Sequence, residues 1–294
     1  MLSKRIYALA EALLVTFLWS TSYILIKIGL RELNPLVFVT YRYALASIVL
    51  IILSTMFRYK CNKNLRSKQL LFLLLGFTGY FIAQGLQFFG LYYLPAITVT
   101  FILNMSPIFV LVLGMFFLKE KPTIIQLIGV IIVICGVMLF FSGSLLALNE
   151  VLGVFLTILS GIGWALYMVI FRCCLRDGKI DVFALTTYST SFGSLLLLGT
   201  TIMTNNIMIP STNSLYIILW LSIINTALAF ILWNHALRVL RAYDQSILQN
   251  TMLIQITLLA YVFLRESITP QKILGIIIIF IGILIVQALH KYIT

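Results

Sequence analysis

From end to end the chain repeats one pattern: an apolar stretch, then a short joint where charged residues, asparagines and prolines collect. Apolar runs of 18 or more residues recur throughout, which is the length a spanning α-helix needs. Membrane strands are a poor alternative, because they are about half that length and alternate strictly. The pattern predicts an all-α integral membrane protein with ten spans, over residues 7–29, 35–57, 69–91, 96–118, 124–143, 151–171, 181–203, 214–237, 244–264 and 270–290. Pro35, Pro122 and Pro270 stand at predicted helix starts, where a missing N–H costs nothing. The first span could be taken for a signal peptide. Trp19, the further apolar turns after it and the lack of an Ala-x-Ala site directly after that run predict a retained helix instead.

Two stretches of this pattern are near copies. Residues 86–140 lie over 232–286 without a gap, 146 positions apart. Asn104 then matches Asn250, Glu120 matches Glu266, Gly129 matches Gly275 and Gly136 matches Gly282. Duplicated spanning halves with a site between them are a common plan of membrane carriers. The halves expected here are 1–143 and 151–290.

Composition sharpens the class. The chain is 62% hydrophobic and 10% charged, where a soluble domain carries about 25% charged residues. Its formal net charge of +12 would fit nucleic acid, but the basic residues follow the membrane ordering. With the N-terminus placed in the cytoplasm, fifteen Lys and Arg fall in inner segments and three (Arg31, Arg265 and Lys272) in outer ones. That bias predicts a multi-pass protein of the cell membrane, surrounded by lipid, with both termini cytoplasmic and no nucleic-acid partner. Five helices in a half make the second half enter the bilayer in the opposite sense, as an inverted repeat.

The residues in hand resemble the drug/metabolite transporter superfamily, in particular its EamA-type ten-helix members. The matching pieces are Trp19-Ser-Thr-Ser-Tyr23, Pro35 with Tyr41-Arg42-Tyr43, Leu103-Asn-Met-Ser-Pro107, Leu118-Lys-Glu120 with Gln126 and Gly129, Gly163-Trp-Ala-Leu-Tyr167, and Phe263-Leu-Arg-Glu266 with Gly275. The resemblance covers nearly the whole chain. It implies two inverted five-helix repeats around a central cavity and a small metabolite or drug as substrate. One departure stands out: Pro107 is answered by Leu253, so the halves are not equivalent around the site.

Polar groups in hydrocarbon are expensive and should face a partner helix or a cavity. Tyr80, Gln84 and Gln87 share a face of the third span, Trp164 and Tyr167 one of the sixth, and Trp19 and Tyr23 one of the first. Ser222, Asn225 and Trp233 line a stripe of the eighth, while Asn104 and Asn250 occupy matching turns of the fourth and ninth. Together they fit an aromatic-walled cavity with amides and hydroxyls as orienters. Each also has a plain reading: membrane-edge aromatics, or amides bonded across helices.

Charged span residues divide by depth. Glu11 and Lys27 sit near opposite ends of the first span, some 24 Å apart at 1.5 Å per residue, and cannot pair. Lys27 is placed to snorkel outward. Arg42 is too deep for that and is either structural or substrate-facing. His235 is a membrane-edge residue or a proton carrier, with Glu11 as the only span carboxylate away from a boundary. Glu120 and Glu266 stand at helix ends and suit capping or loop fixing. Gly129 with Gly136, and Gly275 with Gly282, recur at seven residues and permit close helix approach, within the protein or between two copies. The chain is therefore a monomer or a homodimer.

No acid–base–nucleophile group converges on His235 or His290, and no glycine-rich phosphate loop is present. Cys61, Cys135, Cys173 and Cys174 show no zinc spacing; Cys61, Cys173 and Cys174 fall in or near inner joints and Cys135 lies in a span, which predicts no disulfide. No metal or cofactor is expected. The leading function is a secondary transporter of an amino-acid-like or other semi-polar metabolite working by alternating access. The alternatives are a proton-coupled drug exporter of the same fold and, behind it, a membrane enzyme or lipid flippase.

Overall fold

The computed structural model describes residues 2–56, 69–117, 123–142, 147–176, 181–205, 208–236, 239–240 and 242–288, and it is helical throughout, with no strand among them. Two long helices come first, α1 (Leu2–Gly29) and α2 (Pro35–Met56). Next, α3 (Gln69–Tyr93) passes through a π-helical segment at Gly76–Gln84. A fourth helix, α4, comes in two pieces, Ala96–Leu103 and Ser106–Phe117. Then follow α5 (Ile124–Phe141), α6 (Leu148–Arg176) and α7 (Val182–Met203). The last three are α8 (Thr212–Ala236, π-helical at Ile223–Leu228), α9 (Ala242–Leu259, running on as a π turn at Ala260–Leu264) and α10 (Pro270–Ala288). Among the described residues seven helices, α1–α3 and α5–α8, are long and apolar enough to cross a membrane, and Leu248–Leu264 and Pro270–Ile285 are shorter apolar helices.

Local chemistry sets several boundaries. Thr123 and Gln126 form a reciprocal capping box on α5, with Gln126 N–H donating to Thr123 Oγ1 at 3.3 Å and Thr123 N–H to Gln126 Oε1 at 2.9 Å. Asp181 accepts the N–H groups of Phe183 and Ala184 at 3.0 and 3.3 Å, placing a negative charge at the positive end of α7. Ser211 does the same for α8 through the N–H of Ser214 at 3.2 Å.

The sequence predicted one unbroken span over 96–118, and the structure breaks it at Asn104 and Met105. Pro107 has no N–H to offer the Leu103 carbonyl, and the hydroxyl of Ser106 donates to that carbonyl instead. Asn104 Nδ2 donates to Thr100 O at 2.9 Å, holding the end of the first piece. Leu253 imposes no such break, and α9 runs through Asn250 without interruption. The two matching helices therefore differ at the level of the site.

Packing follows a pattern of exchange. Helix α1 packs on α8 and α9, and α6 packs on α3 and α4. Helix α2 meets α7 and α8, and α7 meets α2 and α3. Helices α5 and α10 pack on each other. Each of these contacts recurs with the halves swapped.

The α5–α10 contact settles what the spaced glycines do. A Cβ on Gly282 would stand 2.8 Å from Val133 Cγ2 and 2.9 Å from the Gly129 carbonyl oxygen, and one on Gly136 would stand 2.7 Å from Ile279 Cγ1. One on Gly275 would meet Phe140 Cβ at 2.8 Å. The glycines bring these helices into backbone contact inside one chain. Their opposite faces carry exposed Ile131, Ile134 and Met138 on α5 and Ile277 and Ile281 on α10, the surface that hydrocarbon would cover.

Candidate substrate site

A small cleft, with a cavity volume of about 70 Å³, lies between α1, α2, α3, α4, α6, α8 and α9. Trp19 stands at its centre. Its ring meets Trp164 edge-on at 6.1 Å, Phe230 at 5.4 Å and Trp233 at 4.9 Å, and its Nε1 donates to the Asn225 carbonyl at 3.1 Å. Such edge and tilted contacts are the favoured geometries of aromatic pairs. Gln84, Gln87, Tyr23 and Ser22 add polar atoms from α3 and α1, with the Tyr23 hydroxyl in hydrogen-bonding reach of Gln87.

Of the residues singled out in the sequence, Trp19, Gln84, Gln87, Trp164 and Arg42 line the cleft. Tyr167 and Tyr80 stand one layer behind. Tyr167 stacks on Trp164 with centroids 5.3 Å apart, and Tyr80 meets Tyr167 edge-on at 5.7 Å with the hydroxyls 3.4 Å apart. Both rings are buried, and Tyr167 closes over Gly79, where any side chain would strike its ring. They hold the Trp164 wall in place and do not form its surface.

The three asparagines are buried, and none lines the cleft. Asn104 secures the α4 break, as described. Asn225, on the π turn of α8, sends Nδ2 to the Leu18 carbonyl, to Thr21 Oγ1 at 3.1 Å and to Ser22 Oγ at 2.8 Å. It ties α8 to α1 beside the site. Asn250 lies in α9, one residue after the lining Gln249.

Arg42 is 3% exposed. Its Nε donates to Thr226 Oγ1 at 2.8 Å and its Nη2 approaches the Asn225 carbonyl at 3.5 Å. The guanidinium carbon sits 5.4 Å from the Tyr43 ring centroid and 5.8 Å from that of Phe88, contacts that offset part of its lost hydration. The π turn of α8 thus serves Trp19 and Arg42 with one carbonyl, a placement typical of π segments near functional sites.

Glu11 and His235 take no part in the cleft. They face each other, with His235 Nδ1 2.9 Å from Glu11 Oε2. These positions, 224 residues apart, meet because α1 packs on α8. Lys27 sends its Nζ to the Leu94 carbonyl, donating at 2.9 Å, beside Glu266.

Glu266 caps a helix, but in the other half of the chain. Its carboxylate accepts the N–H groups of Ala96 and Ile97 at 2.7 and 3.1 Å. Glu120, its counterpart in the repeat, lies outside the described residues, as do Cys61 and the 57–68 joint. Nearby, Glu32 Oε2 accepts from Ser211 Oγ at 2.5 Å and Ser214 Oγ at 2.6 Å. Those hydroxyls hold the Glu32 carboxyl below the usual carboxylate range. Both clusters lie at the Lys27 end of the bundle.

Several lining residues were not singled out in the sequence: Ser22, Ser106, Ser160, Phe230, Gln249 and Met252. Ser106 had a usable signal, its place before Pro107 in a span. Ser160 donates to the Ala83 carbonyl at 2.5 Å and reads in sequence as ordinary helix packing. Among the described residues no cluster of His, Cys, Asp or Glu could hold a metal ion.

The geometry agrees with the comparisons. A transporter of unassigned substrate from Archaeoglobus fulgidus is 30% identical over 229 residues, covering 76% of this chain and 78% of its own. The Bacillus subtilis transporter YoaV is 23% identical over 92% of each chain. A Salmonella typhimurium protein named "Probable amino-acid metabolite efflux pump" is 26% identical over 93% of this chain and 92% of its own. A solved crystal structure shares the fold with a TM-score of 0.69 at 15% identity, over 95% of this chain and 97% of that one. The relatives are named as transporters and none as an enzyme. Since the model of the EamA-like transporter family matches residues 6–142 and again 151–287, the chain belongs to that family and is a multi-pass membrane transporter.

Proposed function

We propose that the chain is a secondary transporter that carries an amino-acid-like or other semi-polar metabolite across the cell membrane by alternating access. It would do so with ten spans in two inverted five-helix halves, residues 1–143 and 151–290, with both termini cytoplasmic, acting as a monomer or a homodimer. The observation that carries this reading is the composition of the cleft. Trp19, Gln84 and Gln87 come from the first half and Trp164, Phe230 and Gln249 from the second, so relative motion of the halves would change access to a solute held among them. The exchange symmetry of the helix contacts supports two halves of opposite sense. The name of the Salmonella typhimurium relative supports a metabolite as cargo.

The ties at the Lys27 end give the motion a physical form. Lys27 to Leu94, Glu266 to Ala96 and Ile97, and Glu32 to Ser211 and Ser214 join separate elements there. Opening at that end requires these bonds to part while water replaces them. A drug exporter for cations is less favoured, since among the described residues no carboxylate lines the cleft.

The test is uptake and efflux in proteoliposomes across a metabolite panel, with and without a pH gradient. Saturable movement of at least one metabolite is expected. A folded protein that moves nothing would sink the reading. Accessibility labelling that places the 58–68 loop outside the cell would overturn the orientation and the inverted repeat.

A further inference from the structure

Among the described residues Arg42 is the only charged side chain lining the cleft, and none of the described carboxylates pairs with it there. The guanidinium carries five N–H donors; one makes a short bond to Thr226 and a second a long approach to the Asn225 carbonyl. The rings of Tyr43 and Phe88 flank it, 5.4 and 5.8 Å from the guanidinium carbon. All five carboxylates with described side chains are engaged elsewhere. Glu11 faces His235, Glu32 faces Ser211 and Ser214, and Glu150, Asp181 and Glu266 accept backbone N–H groups at helix starts.

A buried cation without a counter-charge is costly, and a guanidinium presents a planar fork that matches a carboxylate. We propose that the cleft selects solutes bearing a carboxylate on a small apolar or aromatic body, with Arg42 as the residue that takes the carboxylate. The inference rests on the transport reading and names the substrate class of the same site. Around Arg42 the other groups fall into place. Trp19 and Trp164 offer ring surface to the apolar body, and Gln84, Gln87 and the Tyr23 hydroxyl offer neutral hydrogen bonds to a further polar group. A cation gains no acidic partner in this lining and meets repulsion from Arg42.

The experiment loads proteoliposomes with three matched sets of small solutes: carboxylic acids, their primary amides, and the amines lacking the carboxyl group. Counterflow is followed by mass spectrometry. The wild type is expected to move members of the acid set at least ten-fold faster than the matched amides and amines. Arg42→Gln should lose at least ten-fold on those acids, and Arg42→Lys should retain part of the rate, with folding checked by thermal unfolding. The acid-to-amide comparison needs only the wild type, so a variant that fails to fold leaves the inference open to refutation. Equal movement of acids and amides, preference for amines, or a folded Arg42→Gln that carries acids at the wild-type rate would each overturn it while transport stands. Movement of nothing in any set would remove the transport reading as well.

Discussion

The carboxylate of Glu266 caps the helix that begins at Ala96, accepting its N–H at 2.7 Å across 170 positions of sequence. Pro95, which precedes that helix, offers no side-chain acceptor for its first amides. The capping group arrives instead from the end of α9, where Arg265 turns the chain in the left-handed region at φ 56°. A single carboxylate therefore fixes two helix ends belonging to different halves.

Glu266→Ala should cost about 1 kcal/mol, as loss of a helix cap does, and Glu266→Gln somewhat less because one acceptor oxygen remains. Thermal unfolding of the purified variants measures this. An unchanged unfolding temperature for Glu266→Ala would show that the capping bonds contribute nothing to the fold.

Glycine contact between α5 and α10 predicts a larger effect. Gly282→Leu places a branched side chain where Val133 and the Gly129 backbone already stand 2.8–2.9 Å from a Cβ position. Forced separation of packed helices costs about 1–3 kcal/mol, and Gly136→Leu should act likewise from the facing helix. Expression and melting temperature report it. Normal values for both variants would mean that these helices do not meet through those faces.

At the cleft, Trp164→Ala and Gln84→Ala should slow transport or weaken binding by several-fold without unfolding the protein. Trp164→Ala removes a ring that packs on Trp19 and Tyr167, whereas Gln84→Ala removes one neutral hydrogen bond worth about 1 kcal/mol. Ile132→Ala, on the scaffold helix α5, should leave transport unchanged. If both cleft variants carry substrate at the wild-type rate, the solute passes elsewhere.

Glu32 makes a prediction about pH. Hydrogen bonds from Ser211 and Ser214 lower its pKa in the folded state. A lowered carboxylate contributes stability above its unfolded pKa and loses that contribution as pH falls through the folded value. The tie between the α1–α2 joint and the start of α8 should thus hold at neutral pH and loosen only below the ordinary Glu pKa of about 4.3. Protection of the first α8 amides, measured against the intrinsic exchange rate at each pH, should fall with acid in the wild type, while Glu32→Ala should show low protection at every pH. Acid-independent protection in the wild type would count against the tie.

Much of the architecture was open to reading from the chain alone, because it depends on local quantities. Apolar length placed the helices to within a few residues, and proline and threonine chemistry marked several starts. Seven-residue glycine spacing identified the α5 and α10 contact faces, and the position of Glu266 at a helix end pointed to a cap. Trp19, Gln84, Gln87, Trp164 and Arg42 were legible as candidate cleft residues because polar and aromatic groups at mid-span have few other places to go. The π segments of α3 and α8 were not legible, since one extra residue per turn leaves no trace in an apolar pattern.

What the sequence determined by itself was which segments are long, apolar helices, that they come in two related sets, and which side chains are too polar to face hydrocarbon. Only the tertiary structure decided which of those side chains meet. Glu11 found His235, Asn225 bound the backbone of α1, Tyr80 and Tyr167 moved behind the wall, and Arg42 was left facing the cleft without an acid. The physical reason is that burial is a property of each residue and its neighbours along a helix, whereas pairing depends on how rigid helices distant in sequence rotate against one another.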